Sequence, residues 1–186
     1  MGKLIYASNV SLDGCTEDAH GALDWAPSDD DVFASITALM RSSGTYLYGR
    51  RMYETMAVWE TDPSLAARSD LTREFANAWQ AADKVVYTRT LTAVSTAKTR
   101  LERHFDANSV AAMKAAATSD LVIGGPTLAA HALRAGIVDE CQLFIWPVVL
   151  GGARPALPAG GPRTDLELLE EHRFTNGVIH VRYRTR

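Results

Sequence analysis

An α/β fold with a mixed, mostly parallel sheet flanked by helices and closed by a C-terminal antiparallel hairpin is what this sequence predicts. Three observations lead there. Short aliphatic runs alternate with segments of helical apolar spacing up to about Pro147. Two of these runs stop at glycine and pass directly into a helix start, in Val122-Ile123-Gly124-Gly125-Pro126 and in Tyr48-Gly49-Arg50. Beyond Pro147 strand-like segments follow one another and meet at Asn176-Gly177, a strong hairpin signal. The length of 186 residues suits one domain spanning 1–186, with room for a substantial core.

Taken in order, Lys3 to Val10 reads as the first strand, and Ser11-Leu12-Asp13-Gly14 turns out of it. A long connection rich in small residues then runs to Pro27, with Trp25 near its end as a core anchor or the wall of a ring-binding pocket. Ser28 followed by Asp29, Asp30 and Asp31 reads as a capping hydroxyl and a first turn of carboxylates that suit the helix dipole. Val32, Phe33, Ile36, Leu39 and Met40 share one helical face, and Ser42-Ser43-Gly44 ends the helix. Thr45 to Gly49 is a second strand followed by a helix from Arg50. Leu71, Phe75 and Trp79 mark another helix, and Lys84 to Thr88 a third strand.

The segment from Thr92 to Asp106 carries no clear pattern, and Asn108 to Ala117 reads as a helix capped by Asn108 or Ser109. The central strand from Asp120 ends at Gly124-Gly125. There glycine permits a sharp bend and close backbone approach, and Pro126 fits the first helical position, where no amide donor is required. Cys141 to Trp146 is a further strand, and a Gly- and Pro-rich loop runs from Gly151 to Pro162. In the hairpin, Leu166 to Phe174 pairs with Val178 to Tyr183. Alternation there places Ile179, Val181 and Tyr183 toward the core, with His180 and Arg182 opposite.

Composition narrows the function. A net charge of −3 and a pI near 5.9 argue against a general nucleic-acid binder. The N-terminus opens on a strand pattern rather than a signal peptide, and no apolar run approaches membrane-spanning length, so a cytoplasmic protein is expected. The two cysteines, Cys15 and Cys141, suggest neither a disulfide framework nor a zinc site. The five histidines are dispersed, none at metal-ligand spacing, and there is no P-loop or Gly-x-Ser-x-Gly elbow, so no metal is expected.

In a largely parallel sheet, ligands bind beyond the carboxyl ends of the strands. Asn9 to Gly14, Gly49 to Tyr53, Thr88-Arg89 and Gly124 to Thr127 all follow strands and would rim one crevice. Helix starts after glycine turns suit a pyrophosphate, with Arg50, Arg51 and Arg89 supplying positive charge. Arginine and hydroxyl groups, rather than an acidic residue, at the ribose position favour NADPH over NADH. The competing reading is that these arginines are solvated or pair with Glu54 or Glu60. Hydride transfer needs no protein nucleophile, so a reductase can look catalytically bare.

With these residues assembled, the chain resembles the dihydrofolate reductase-like superfamily, and within it stand-alone proteins similar to the reductase domain of the bifunctional riboflavin-biosynthesis deaminase-reductase. The resemblance rests on Ser11-Leu12-Asp13-Gly14, Asp24-Trp25, Tyr48 to Glu54, Val86 to Leu91, Val122 to Gly125, Val138-Asp139-Glu140 and Pro147 to Gly152. It implies a dihydrofolate reductase-like fold, an NADPH crevice along the strand ends, a small heterocyclic substrate of pteridine or pyrimidine type, and a homodimer. By that resemblance Asn9 approaches the nicotinamide, and Gly49, Arg50 and Arg51 meet the phosphates. Thr88 and Arg89 read the 2′-phosphate, and Gly124, Gly125, Pro126 and Thr127 lie under the pyrophosphate. Asp13 and Trp25 fall on the substrate side. Asp30 is comparable to the pterin-binding carboxylate of dihydrofolate reductases, although with three aspartates in a row the helix cap is the favoured reading of the same residue. The chain lacks the deaminase partner domain, which leaves the substrate open. The alternative from another class is a non-catalytic dimeric nucleotide-binding or interaction domain that retains the fold.

Overall fold

The computed structural model describes residues 1–22, 25–152 and 154–186. The strands are β1 (Leu4–Ser11), β2 (Cys15–Glu17), β3 (Ser43–Gly49), β4 (Asp83–Tyr87), β5 (Thr99–Glu102), β6 (Asp120–Gly124), β7 (Glu140–Trp146), β8 (Arg154–Pro155), β9 (Leu166–Arg173) and β10 (Ile179–Thr185). The helices are α1 (Asp30–Ser42), α2 (Arg50–Met56), α3 (Val58–Thr61), α4 (Pro63–Ala66), α5 (Asp70–Ala81), α6 (Ala107–Ala116) and α7 (Pro126–Arg134). Eight strands form one sheet in the order β5-β4-β3-β6-β1-β7-β10-β9, and β2 pairs with β8 in a small second sheet. The first six in that order run parallel, whereas β10 is antiparallel to β7 and to β9. The mixed sheet and its antiparallel edge match the sequence reading.

Each face of the sheet carries its own core. On one face, Ile5, Tyr46, Tyr48, Val86 and Val122 pack against Leu39 and Met40 of α1 and Phe75 and Trp79 of α5. On the other, Leu4, Tyr6, Leu47, Val85, Leu121 and Ile123 pack against Val110 of α6 and Leu128, Ala129 and Ala132 of α7. The central strands are buried on both sides, which is why they read as unbroken apolar runs. A third cluster, Val32, Phe144, Trp146, Phe174 and Val178, closes the gap between α1 and the hairpin, with Trp25 against it.

Several boundaries differ from expectation for identifiable reasons. Asp29, not Ser28, caps α1, accepting from the amides of Asp31 and Val32, and Asp106, not Asn108 or Ser109, caps α6. In both places a carboxylate competes with a neighbouring neutral side chain for the same amides. The unassigned segment contains β5, a four-residue edge strand too short to show periodicity. The connection to Pro27 and the loop from Gly151 to Pro162 each hold half of the β2–β8 pair.

The facing of β10 is reversed at its start, whereas Val181, Arg182 and Tyr183 are all half-buried. His180 is buried and stacks on Phe144, with ring centroids 4.3 Å apart, whereas Ile179 is 43% exposed. On the face that carries α6 and α7 the core reaches only Cys141 and the half-buried Leu143 of β7, so the aligned side of β10 is only partly covered, whereas α1 and the aromatic cluster cover His180 on the opposite face.

Candidate active site

Parallel register brings the strand ends into one row. Gly49 pairs with Tyr87 and Tyr48 with Gly124, while Ser11 pairs with Trp146, so the segments after β4, β3, β6, β1 and β7 all emerge at one edge. The four stretches singled out in the sequence are brought together there.

At the end of β6, Gly125 adopts φ +90 and ψ 127 and serves as N-cap of α7 without a capping side chain, with Pro126 at the first position. That backbone geometry is one a side chain would strain, so glycine is required. Gly124 has a different reason. A Cβ there would meet Tyr48 Cε1 at 2.9 Å, so this glycine lets the side chains of Tyr48 and Met52 lie close against the end of β6. Gly49 caps α2, also without a side-chain bond, and a Cβ on it would find nothing within 4 Å. The open space lies at Gly49, and the tight packing at Gly124.

The arginines are not idle. Arg50 donates from Nε to Glu54 at 2.7 Å and from Nη1 to Thr90 at 2.9 Å, as the competing sequence reading allowed. Arg51 donates to Glu17 Oε2 at 2.9 Å. Both remain about half exposed or more, at 49% and 63% of their side chains. Arg89 is exposed and makes no hydrogen bond or ion pair among the described residues. Thr88 is buried, and its hydroxyl accepts from the amides of Thr90 and Leu91, so it shapes the turn that presents Arg89. Arg103, which the sequence reading passed over, reinforces that turn by donating to the carbonyls of Thr88 and Leu91.

Asn9 is exposed, and its Oδ1 accepts from Trp146 Nε1 at 3.0 Å, which orients the amide. Asp13 serves as a clamp between loops. Its carboxylate accepts from the Ser11 hydroxyl at 2.6 Å and from the amides of Leu150 and Gly151, tying the end of β1 to the loop after β7. The Ser11 hydroxyl and these two amides hold its carboxyl below the usual range. Trp25 donates to the Thr16 carbonyl at 3.0 Å and packs on the third cluster, which fits the core reading. Its neighbour Asp24 lies outside the described residues. Asp30 is the exposed first residue of α1, one place beyond the cap, where the helix dipole alone accounts for an acid.

The sequence reading missed Glu17 and Arg154. Glu17 is buried beside the rim, bonded to both Arg51 and Arg154, and Arg154 Nη1 reaches Thr127 Oγ1 at 3.2 Å. A buried carboxylate with two guanidiniums is a local charge arrangement that spacing in sequence could not disclose. No group of histidine, cysteine or carboxylate side chains able to hold a metal ion is found among the described residues. Likewise, no helix there is long and apolar enough to cross a membrane.

Solved structures share this architecture. A protein provisionally assigned to riboflavin biosynthesis, from Shewanella sp. PV-4, superposes with a TM-score of 0.77 at 20% identity, covering 99% of each chain. A pyrimidine reductase-like protein from Corynebacterium diphtheriae gives 0.65 at 15% identity, over 100% of this chain and 92% of that one. The diaminohydroxyphosphoribosylaminopyrimidine deaminase/5-amino-6-(5-phosphoribosylamino)uracil reductase of Thermotoga maritima also gives 0.65 at 15%, and this chain spans 57% of that longer one. In sequence, the uncharacterized protein YyaP of Bacillus subtilis (strain 168) is 26% identical over 182 residues, 97% of this chain and 94% of that protein. The model of the RibD C-terminal domain matches residues 2–180, and with nearly the whole chain so matched the protein belongs to the RibD C-terminal domain family.

Proposed function

We propose that the protein is an NADPH-dependent reductase that transfers a hydride to a small heterocyclic substrate of pyrimidine or pteridine type. The observation that carries this reading is the row of strand ends. Two uncapped helix starts after Gly49 and Gly125 stand beside the basic residues Arg50, Arg51 and Arg89 on a chain whose net charge is −3. Positive charge concentrated at helix starts in an otherwise acidic protein calls for an anionic ligand. The donor set fits a dinucleotide phosphate. Space beside Gly49 leaves room for a phosphate near the backbone, and the exposed Arg89, presented by the Thr88 turn, would meet a 2′-phosphate.

The bound cofactor would supply the hydride, and the chain's own residues would hold and orient the reactants. Asn9, fixed by Trp146, offers an amide at the end of β1 for the nicotinamide side. The Asp13 clamp keeps the loops after β1 and β7 together beside it. Asp30 is the candidate acid on the substrate side, within reach only if the substrate extends to the start of α1. The alternative, a non-catalytic nucleotide-binding domain, keeps the same cofactor side and dispenses with turnover.

We further propose a homodimer through the antiparallel edge. Leu166, Leu168 and Ile179 are 44%, 47% and 43% exposed on the hairpin, an apolar surface suited to a second copy.

Titrating NADPH and NADH while following cofactor fluorescence tests the main reading. Tighter binding of NADPH is expected, and no binding of either, or preference for NADH, would overturn it. Oxidation of NADPH with a panel of dihydropterins and aminopyrimidine ribosides then separates a reductase from a domain that only binds.

A further inference from the structure

Toward the other end of the strands a trough of about 480 Å³ runs between α1 and the antiparallel edge of the sheet. Ile5 and Asp120 line it, and they stand at the starts of β1 and β6, whose far ends belong to the crevice. Ser35, Ala38 and Leu39 of α1 form one wall, and Gln142, His180 and Arg182 form the floor. A sheet face beneath a helix is ordinarily apolar, and this one is not. Gln142 and His180 are each only 7% exposed. Yet the Gln142 amide makes no hydrogen bond among the described residues, and His180 Nε2 is buried without a partner. Buried polar groups are ordinarily bonded, so two left open in one cavity point to a partner from outside the chain.

The charges around the trough select that partner. Arg182 is occupied, donating to both oxygens of Glu140 and pairing with Glu170 at 3.5 Å. Lys3 is likewise held by Glu140 at 2.7 Å, and with Asp120 the carboxylates outnumber these two cations. Burial, together with His172 and Arg182 and against the pull of Glu170, holds the His180 ring below the usual histidine range, so it adds no charge near neutral pH. The trough therefore disfavours anions and offers acceptors to N–H donors. Gln142 presents an acceptor oxygen and N–H donors side by side, which suits an edge carrying both.

We propose that this trough binds a small planar amidine or amino-heterocycle, whose N–H groups meet Gln142 and the acidic rim of Asp120 and Glu170 and whose apolar body lies against Leu39 and Phe174. The volume is that of a small-molecule site. The proposal stands apart from the cofactor reading, since the two sites lie toward opposite ends of the sheet.

The test is calorimetric titration, without cofactor, of benzamidine and 2-aminobenzimidazole, with benzoate as the anionic control, into the wild type, Gln142→Leu and Ala38→Trp. Thermal melts establish folding. Gln142→Leu keeps the volume of the floor and removes its amide, whereas Ala38→Trp fills the trough from an exposed position on α1. At least one of the two cations should bind the wild type while benzoate does not, and both variants should bind it roughly tenfold or more weakly. Should Gln142→Leu fail to fold, Ala38→Trp decides. Binding of neither cation, equal binding of benzoate, or a folded variant that binds like the wild type overturns the proposal.

Discussion

Two glycines of the crevice should respond oppositely to the same added methyl. In Gly124→Ala the new Cβ would sit 2.9 Å from Tyr48 Cε1, 3.1 Å from Cδ1 and 3.4 Å from Met52 Cγ. Tyr48 is 3% exposed and lies against Tyr46, with ring centroids 5.9 Å apart, so the ring has little room to withdraw. Overpacking of this kind costs about 1–3 kcal/mol. For a domain of this size that is a fall in Tm of roughly 2–12 °C. In Gly49→Ala the methyl enters open space at φ −77, which any residue adopts, and only the weaker N-cap preference of alanine opposes it, about 0.5–1 kcal/mol. If a phosphate approaches the start of α2, however, that methyl occupies its path, and NADPH affinity should drop about tenfold or more, roughly 1.4 kcal/mol per decade. Urea unfolding and fluorescence titration on both variants provide the readouts. Gly49→Ala binding NADPH like the wild type would refute a ligand at that helix start. Gly124→Ala with unchanged stability would refute the packing argument.

Arg89→Ala should weaken NADPH much more than NADH in the same titration, and equal losses would remove Arg89 from the 2′-phosphate. At the base of the sheet, Glu140 has a 2% exposed side chain held by Lys3 and Arg182, each at 2.7 Å. Burial alone would raise its carboxyl, but bonds from Arg182 and Lys3 outweigh that and hold it below the usual glutamate range. A lowered folded value means that this stabilisation is present above the unfolded value and lost as pH falls through the folded one. Glu140→Gln should therefore cost about 1–3 kcal/mol at neutral pH, discounted because both cations are partly exposed, and the gap to wild type should close in acid. Urea melts between neutral pH and about pH 3 check it, and a gap that persists unchanged in acid would refute the assignment. For assembly, sedimentation should show a dimer that Leu168→Glu dissociates. A monomer at all concentrations would contradict the edge interface.

The architecture was legible because the central strands show their position in composition: Leu4-Ile5-Tyr6, Val85-Val86 and Leu121-Val122-Ile123 are apolar on both faces and so read as strands buried on both sides. The edges were not legible for the converse reason. β5 alternates half-buried and exposed residues over four positions, too few to separate from a loop. In β10 the alternation was read correctly but its direction was not, since period two says which residues share a face and not which face is covered. His180 is buried because Phe144 and the α1 cluster happen to lie on its side.

The site divides along the same line. Glycine turns, the proline at the first position of α7 and the Thr88 turn are local, and their role follows from backbone chemistry within a few residues. Charge partners are not local. Arg50 finds Glu54 one helical turn away, a pairing visible in sequence, whereas Arg51 finds Glu17 across 34 positions and Arg154 finds it across 137. Asp13 illustrates the consequence. Its place in Ser11-Leu12-Asp13-Gly14 suggested a ligand contact, and amides 137 and 138 positions away each bind one of its oxygens, a tie that nothing local in the sequence announces. A charged residue on a crevice loop therefore has to be weighed by what the fold brings to it. By that measure the exposed Arg89, with no partner among the described residues, is the residue on which recognition of a 2′-phosphate should turn.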